Sequence, residues 1–321
     1  LKRIAALGIS VAILVLIFTR IDTHKFFYYL RNIDPLLFSL SILMFVPQFL
    51  VMARRWQLII EESCRISLWN ALWLLLAGNT LNMVLPSKLG DFAKTLYHRN
   101  NNGIELKKGI FLTIIEKCLD IGSVSLVLLG GAIFIRNKDH AVSLSIALSA
   151  AIVIAVILLF TIDIRMLGLE RLIPNTRLRE KATDFLNKWE EALQSQKASS
   201  AKMIKLAALS IFLWCLHIGQ IYLFFLALGS TVSPAVVFAL APVSILIGLI
   251  PVSFGGIGTR DAALIYLFAP YEKAPLMASV GVLCTLRYLV PALVGLPFIP
   301  RLGFKPSEVA NKKGAEMDFV A

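Results

Sequence analysis

The 321-residue chain is 58% hydrophobic and only 16% charged, with a mean hydropathy of +0.77. That balance lies far from a soluble domain's, and apolar runs recur from end to end, so the fold class is an all-α polytopic membrane protein. The net charge of +12 is accordingly assigned to loops facing the cytoplasm and anionic headgroups, and nucleic acid is excluded as a partner.

In chain order, the first apolar segment (residues 4–19) follows Lys2-Arg3, but no small-x-small cleavage pattern follows it, so it reads as a span rather than a signal peptide. A polar link with Arg20, Lys25 and Arg31 leads to a second span at 35–53, ended by Arg54-Arg55. Residues 68–85 run into Pro86, continue as a short piece at 89–97, and end in the polar run 98–108. Further spans are predicted at 109–135, 141–162, 206–228 and 276–300. Between them, the stretch 163–205 places Leu178, Ala182, Phe185, Leu186, Trp189 and Leu193 at helical spacing among basic residues. It predicts an amphipathic helix, lying on the membrane surface or packed on neighbouring loops. Residues 302–321 read as a disordered polar tail.

The four cysteines, Cys64, Cys118, Cys215 and Cys284, are scattered without CxxC or metal-ligand spacing. They read as small hydrophobes, with neither a disulfide framework nor a metal or cofactor site.

Two stretches interrupt the apolar pattern. In Leu249-Ile250-Pro251-Val252-Ser253-Phe254-Gly255-Gly256-Ile257-Gly258-Thr259-Arg260-Asp261, a proline and glycines separate apolar flanks. Each flank is shorter than the about 20 residues of an ordinary span. Asn82-Met83-Val84-Leu85-Pro86-Ser87-Lys88-Leu89-Gly90-Asp91 repeats the plan: half-helix, proline, small residues, a basic residue and an aspartate. Backbone released from a helix at membrane depth is tolerated where it lines a protein-enclosed cavity, and paired interruptions point to a midplane site. Re-entrant hairpins are therefore expected at 68–97 and 235–269, beside about six transmembrane helices. With both termini cytoplasmic, this layout puts roughly four times as many lysines and arginines in cytoplasmic stretches as outside. The same layout opens the two hairpins to opposite sides, as in inverted-repeat transporters; the alternative, in which each hairpin spans fully, keeps the helices and alters the sidedness of what lies between. The whole chain, 1–321, is then one integral membrane domain of a bacterial or archaeal cytoplasmic membrane.

Charges inside apolar segments face a partner or a cavity. The candidates are Lys88 and Asp91, Glu116 with Lys117 and Asp120, Arg260 and Asp261, and Arg287. Glu116 and Asp120, at i and i+4, share a helix face, and either Arg260 or Arg287 is expected to supply their cation; the structural alternative is a set of salt bridges that fixes helix packing. Thr259 is the expected N-cap of the helix after Gly255-Gly256-Ile257-Gly258, with free N–H groups that favour an anion. Arg260 adds a fork suited to phosphate oxygens. Asp91 and Asp261 fit capping or ion pairing, and His217 with Gln220 fits a polar helix-to-helix contact.

Those two stretches, with Glu116-Lys117-Cys118-Leu119-Asp120 between them, resemble three ordered signatures of the lysylphosphatidylglycerol synthase transmembrane-region family, also called flippase-like or YbhN-like proteins. The membrane domain of the multiple peptide resistance factor belongs to it. The resemblance covers essentially the whole chain. Departures are Asp91 where the family usually has Glu, Lys117 where it commonly has Arg, Phe254 in place of a proline, and Asp261 where a final Glu is frequent. The resemblance implies binding or translocation of a phosphatidylglycerol-type or aminoacylated lipid, with membrane lipids as partners. It does not imply the synthase reaction, which belongs to a soluble domain, so a non-enzyme is expected. Two further readings stand beside it: a membrane transferase on a polyprenyl-linked or phospholipid substrate, with Asp91, Glu116 or Asp120 as base, and a non-catalytic partner of a separate lipid-modifying enzyme.

Overall fold

The computed structural model describes residues 2–135, 140–163, 175–197, 199–250, 253 and 256–303, with side chains from residue 8 onward except at 86–88, 140–141 and 195. The described residues are helical, without strands. In order they form α1 (Lys2–Arg20), α2 (Thr23–Arg31), α3 (Pro35–Leu43), α4 (Phe45–Ile60) and α5 (Leu68–Asn82). A 3-10 segment (Pro86–Phe92) leads into α6 (Ala93–Asn102), α7 (Leu106–Ala132), α8 (His140–Thr161) and α9 (Thr176–Lys197). Then come α10 (Ser200–Ala227), α11 (Pro234–Leu249), α12 (Thr259–Phe268) and α13 (Ala274–Gly295), which closes in a second 3-10 turn (Leu296–Leu302).

Among the described residues, four stretches are long and apolar enough to cross a membrane: Pro35–Ile60, Val142–Thr161, Ser200–Ala227 and Ala274–Leu302. Local chemistry sets several helix starts. Asp34 accepts from the N–H groups of Leu36 and Leu37 at 2.9 Å, with Pro35 preset at the first helical position. Ser67 accepts from Asn70 N at 3.1 Å, and Ser233 caps α11 before Pro234.

The structure corrects the second span. It does not end at Ala53 but runs through Arg54-Arg55 to Ile60 as α4. Arg55 is fully buried there, because acids on α7 meet it and its charge need not reach water. The polar link after α1 is also helical: Asp22 accepts from Lys25 N, and Phe26 of α2 is buried.

Helix α7 stands at the centre, against α4, α6, α8, α9, α10 and α11. Its second half is built for close approach. A Cβ at Gly131 would lie 2.5 Å from Ala239 N and 2.6 Å from the Phe238 carbonyl carbon, so glycine lets the α11 backbone rest directly on α7. At Gly122 the same device faces Val156 of α8. One apolar core joins α7, α10, α11, α12 and α13; a second joins α4, α5, α7 and α9.

The predicted amphipathic helix is α9. Its second half docks on the bundle through buried Trp189, Ala192 and Leu193, and Gln196 Nε2 donates to Ile59 O at 3.0 Å. Leu178 and Phe185 in its first half stay exposed. Lys107 bonds Asp184 of this helix at 3.2 Å and holds that carboxyl below the usual carboxylate range. The predicted tail lies, from residue 304, outside the described residues.

At both interruptions a glycine of the outgoing segment lies against the helix before it. A Cβ on Gly90 would come within 2.5 Å of Asn82 N, and Gly78 faces Gly90 O. Gly256, at φ +79°, has Gly248 O 2.7 Å from where its Cβ would stand. In both cases the chain folds back on itself at a spot where only glycine fits. Substituting Gly131→Leu should lower stability by about 1–3 kcal/mol through overpacking against α11, read from unfolding in detergent micelles; Gly130→Leu, with open space around it, should be near neutral.

Candidate functional site

The site is built from α7 outward. Glu116 and Asp120 do share a face, and Arg55 from α4 reaches both: Nη2 donates to Glu116 Oε1 at 3.1 Å and Nη1 to Asp120 Oδ1 at 2.6 Å. A third bond, to Ser210 Oγ at 3.1 Å, ties the same guanidinium to α10. Glu116 is also paired with Lys94 of α6, whose ammonium stands 3.8 Å from the centre of the Trp56 ring. Neither Arg260 nor Arg287 supplies the cation for these acids, contrary to expectation. Arg55 and Lys94 do, because α4 and α6 pack on that face of α7 and α13 does not. Sequence reasoning took Arg54-Arg55 as a span terminus; the apolar run Leu58-Ile59-Ile60 after it was the signal that the helix continued.

Lys117 closes the cluster. It pairs with Asp91 Oδ2 at 2.5 Å and Asp120 Oδ2 at 3.6 Å, while Asn82 Nδ2 donates to Asp91 Oδ1 at 2.7 Å. Of the two roles open to Asp91, the structure takes the ion pair, and so fastens the first interruption to α7. The side chain of Lys88 lies outside the described residues.

The second interruption is held differently. Gly258, at φ +92°, caps α12 in place of Thr259, which is instead the first helical residue, its Oγ1 2.6 Å from Ser253 Oγ. Asp261 takes the capping role, accepting from Gly258 N at 3.0 Å. Its other oxygen receives Arg260 Nε at 3.0 Å and Nη2 at 2.7 Å. Arg260 reaches on to α13, donating to Gly281 O at 3.1 Å and Thr285 Oγ1 at 3.0 Å. Gly281 is glycine for a packing reason: a Cβ there would stand 2.9 Å from the Asp261 carboxylate. Gly255 lies outside the described residues, whereas Gly256 and Gly258 form the turn into α12.

Arg287 on α13 differs from every other buried cation here. It is 4% exposed. Nη2 donates to Tyr288 OH at 2.5 Å and Nη1 to His217 O at 3.3 Å. Its Nε is buried without a hydrogen-bond partner, and among the described residues no carboxylate lies within ion-pair distance of it.

These groups converge on one cavity of about 150 Å³. Asn82, Met83 and Asp91 line it from the first interruption, and Ile257 and Arg260 from the second. Arg55 of α4, Lys117 and Asp120 of α7, Trp214 and His217 of α10, and Arg287 and Tyr288 of α13 complete the wall. Glu116 and Lys94 stand behind Arg55, outside the lining. Each carboxylate of the cluster has its cation, and Arg287 is left over. A compact anion is the group this arrangement can hold. Of the expected polar contacts at His217 and Gln220, Gln220 bonds Gln48 at 3.0 Å and Ser41 O, and His217 stands in the cavity wall.

Removing Arg55 takes one cation from buried Glu116 and from half-buried Asp120 and leaves each with a lysine alone. Arg55→Ala should cost about 3–5 kcal/mol, whereas Arg54→Ala, at an exposed position of the same helix, should stay within about 0.5 kcal/mol; denaturation in determined micelle conditions with urea compares the two.

Residues 3–295 match the family described as the lysylphosphatidylglycerol synthase TM region. Curated relatives are archaeal UPF0104 membrane proteins. One from Methanocaldococcus jannaschii is 23% identical, with 98% of each chain covered. One from Methanothermobacter thermautotrophicus is 22% identical over 87% of this chain and 89% of its own, and one from Pyrococcus horikoshii is 22% identical over 92% and 96%. The interrupted helices, the charged α7 and the match over nearly all of the sequence agree: this chain belongs to the lysylphosphatidylglycerol synthase transmembrane-region family of membrane proteins.

Proposed function

We propose that this membrane protein is a lipid translocator that seats an anionic phospholipid headgroup in the cavity between the two helix interruptions, with the acyl chains remaining in the bilayer. The observation that carries the reading is Arg287, a buried guanidinium in the wall of that cavity, with an unpartnered Nε and no carboxylate beside it among the described residues. A charge held in apolar surroundings needs a counter-charge, and a phosphate supplies oxygens in the geometry a guanidinium favours. Arg260 is placed to contribute from the second interruption, with Nη1 engaged, among the described residues, by a long 3.4 Å bond to Cys284 O.

The membrane arrangement that goes with this function has about six spans and two re-entrant hairpins, at 68–97 and 235–269, open to opposite leaflets. Both termini lie in the cytoplasm, in a bacterial or archaeal cytoplasmic membrane. The distribution of basic residues supports this sidedness even with Arg55 withdrawn from the loops. The chain-reversing glycines at both interruptions support the hairpins. Opposed hairpins around a midplane site offer access to each leaflet in turn.

Purified protein in vesicles should accelerate leaflet exchange of labelled phosphatidylglycerol. Arg287→Ala should slow that exchange by about tenfold or more, a loss of one charge-assisted contact worth at least about 1.4 kcal/mol, while elution profile and thermal midpoint stay those of a folded protein. Exchange at the unaltered rate in a folded Arg287→Ala protein would remove Arg287 from the mechanism.

A further inference from the structure

We infer that His98 is a pH-sensitive latch: its neutral imidazole locks the end of α6 onto Trp56 of α4, and a second proton on the ring opens the lock and loosens the charge cluster behind it. His98 lies in the last turn of α6, in the polar run that follows the first interruption, and is only 1% exposed. Both edges of its ring are engaged. Nε2 receives the indole N–H of Trp56 at 3.2 Å. An indole nitrogen only donates, so Nε2 is the bare nitrogen and the ring proton sits on Nδ1. That proton faces Asn102 Oδ1 at 3.1 Å, with Cys64 Sγ 4.0 Å away. Asn102 is exposed and Cys64 half-buried, so the Nδ1 edge looks toward water and the Nε2 edge toward the core. The helix end is fixed at the same residue, because the N–H groups of Gly103 and Ile104 both reach the His98 carbonyl.

A second proton has one place to go, Nε2, where it meets the Trp56 N–H. Two donors then face each other inside the protein, and Trp56 Nε1 has no other acceptor among the described residues. A buried donor without an acceptor is costly. The new charge also finds no carboxylate at ion-pair distance among the described residues. Lys94, one turn earlier on α6, adds like charge, and Tyr97 stands edge-on to the ring. Glu116 of α7 is taken by Lys94 and by Arg55 of α4, and Asp91 by Lys117. Helix α5 has no ionisable residue, and Arg301 of the second 3-10 turn lies over the Phe298 ring. Burial accordingly holds the His98 imidazole below the usual histidine range. The lock is therefore intact above about pH 6.5, and its contribution is lost as pH falls from there toward the lowered value. Its opening reaches the cavity through named contacts. Trp56 seats the Lys94 ammonium 3.8 Å from its ring centre. Lys94 pairs with Glu116, which shares Arg55 with Asp120 of the cavity wall.

The test reads the lock directly. Full-length protein in micelles, with 15N-labelled tryptophan, is titrated from pH 8 to pH 5, and the Trp56 indole resonance is identified by its loss in Trp56→Phe. It should move with one midpoint below about 6.5. In His98→Gln, whose side-chain oxygen still accepts from the indole, it should not move. Asn102→Ala changes only an exposed partner that supports the charged ring, and should move the midpoint lower by about 0.5 or more. A Trp56 resonance that ignores pH in the wild-type protein, or that still titrates in folded His98→Gln, overturns the latch; so does an unmoved midpoint in Asn102→Ala. In vesicles, exchange of labelled phosphatidylglycerol should change at least threefold between pH 7.5 and pH 5.5 in the wild-type protein and stay level in His98→Gln. A titrating Trp56 with level wild-type exchange overturns the link from latch to cavity. Absence of exchange at every pH brings down the translocator reading instead, and the latch is then decided by the indole titration.

Discussion

An ionised side chain surrounded by apolar protein and lipid has to be matched, and in this chain the matching is centred on one helix. Glu116, Lys117 and Asp120 occupy little more than one turn of α7, and between them they engage Arg55 of α4, Lys94 of α6 and Asp91 of the first interruption. Breaking the Lys94–Glu116 contact or the Asp91–Lys117 contact strands a charge from another element, and Arg55 bridges two acids at once. That coupling explains why three elements distant in sequence are held at fixed positions around α7. On its other face the same helix uses glycine to admit the backbone of α11. Charge fixes one side of the bundle and close packing the other.

The two interruptions look alike in sequence but are secured by different means. The first is tied across to α7 through Asp91 and Lys117. The second is tied within itself and to α13 through Asp261 and Arg260. The first connection also joins two of the positions at which the chain departs from its family's usual residues. Asp91 and Lys117, two of the positions where the sequence differs from the pattern it resembles, meet each other in an ion pair.

With the carboxylates of the cluster satisfied, the character of the cavity is decided by what remains. Arg287 remains, a buried guanidinium with no carboxylate beside it among the described residues. The cluster around α7 is in this view the scaffold that positions the wall, and the α13 side supplies the recognition.

Much of this protein was legible in its sequence. Hydropathy alone determined a helical membrane protein, because a run of apolar residues that long has no other stable form in lipid. Pro86, Pro251 and the glycines around 255–258 marked both interruptions, since they remove backbone hydrogen bonds or permit φ values other residues resist. The i, i+4 spacing placed Glu116 and Asp120 on one face. The partners of those acids were not legible. Arg55 looked like the end of a span because an isolated helix must bring an arginine pair to water, and only packing against α7 lets one of the two stay inside. Nor did spacing reveal that Arg260 is occupied by its own neighbour while Arg287 is not. Sequence determined which residues would be charged, where the helices would break and which faces they would present. Tertiary structure alone decided which charges cancel, because ion pairing acts over a few ångströms in space and is blind to separation along the chain.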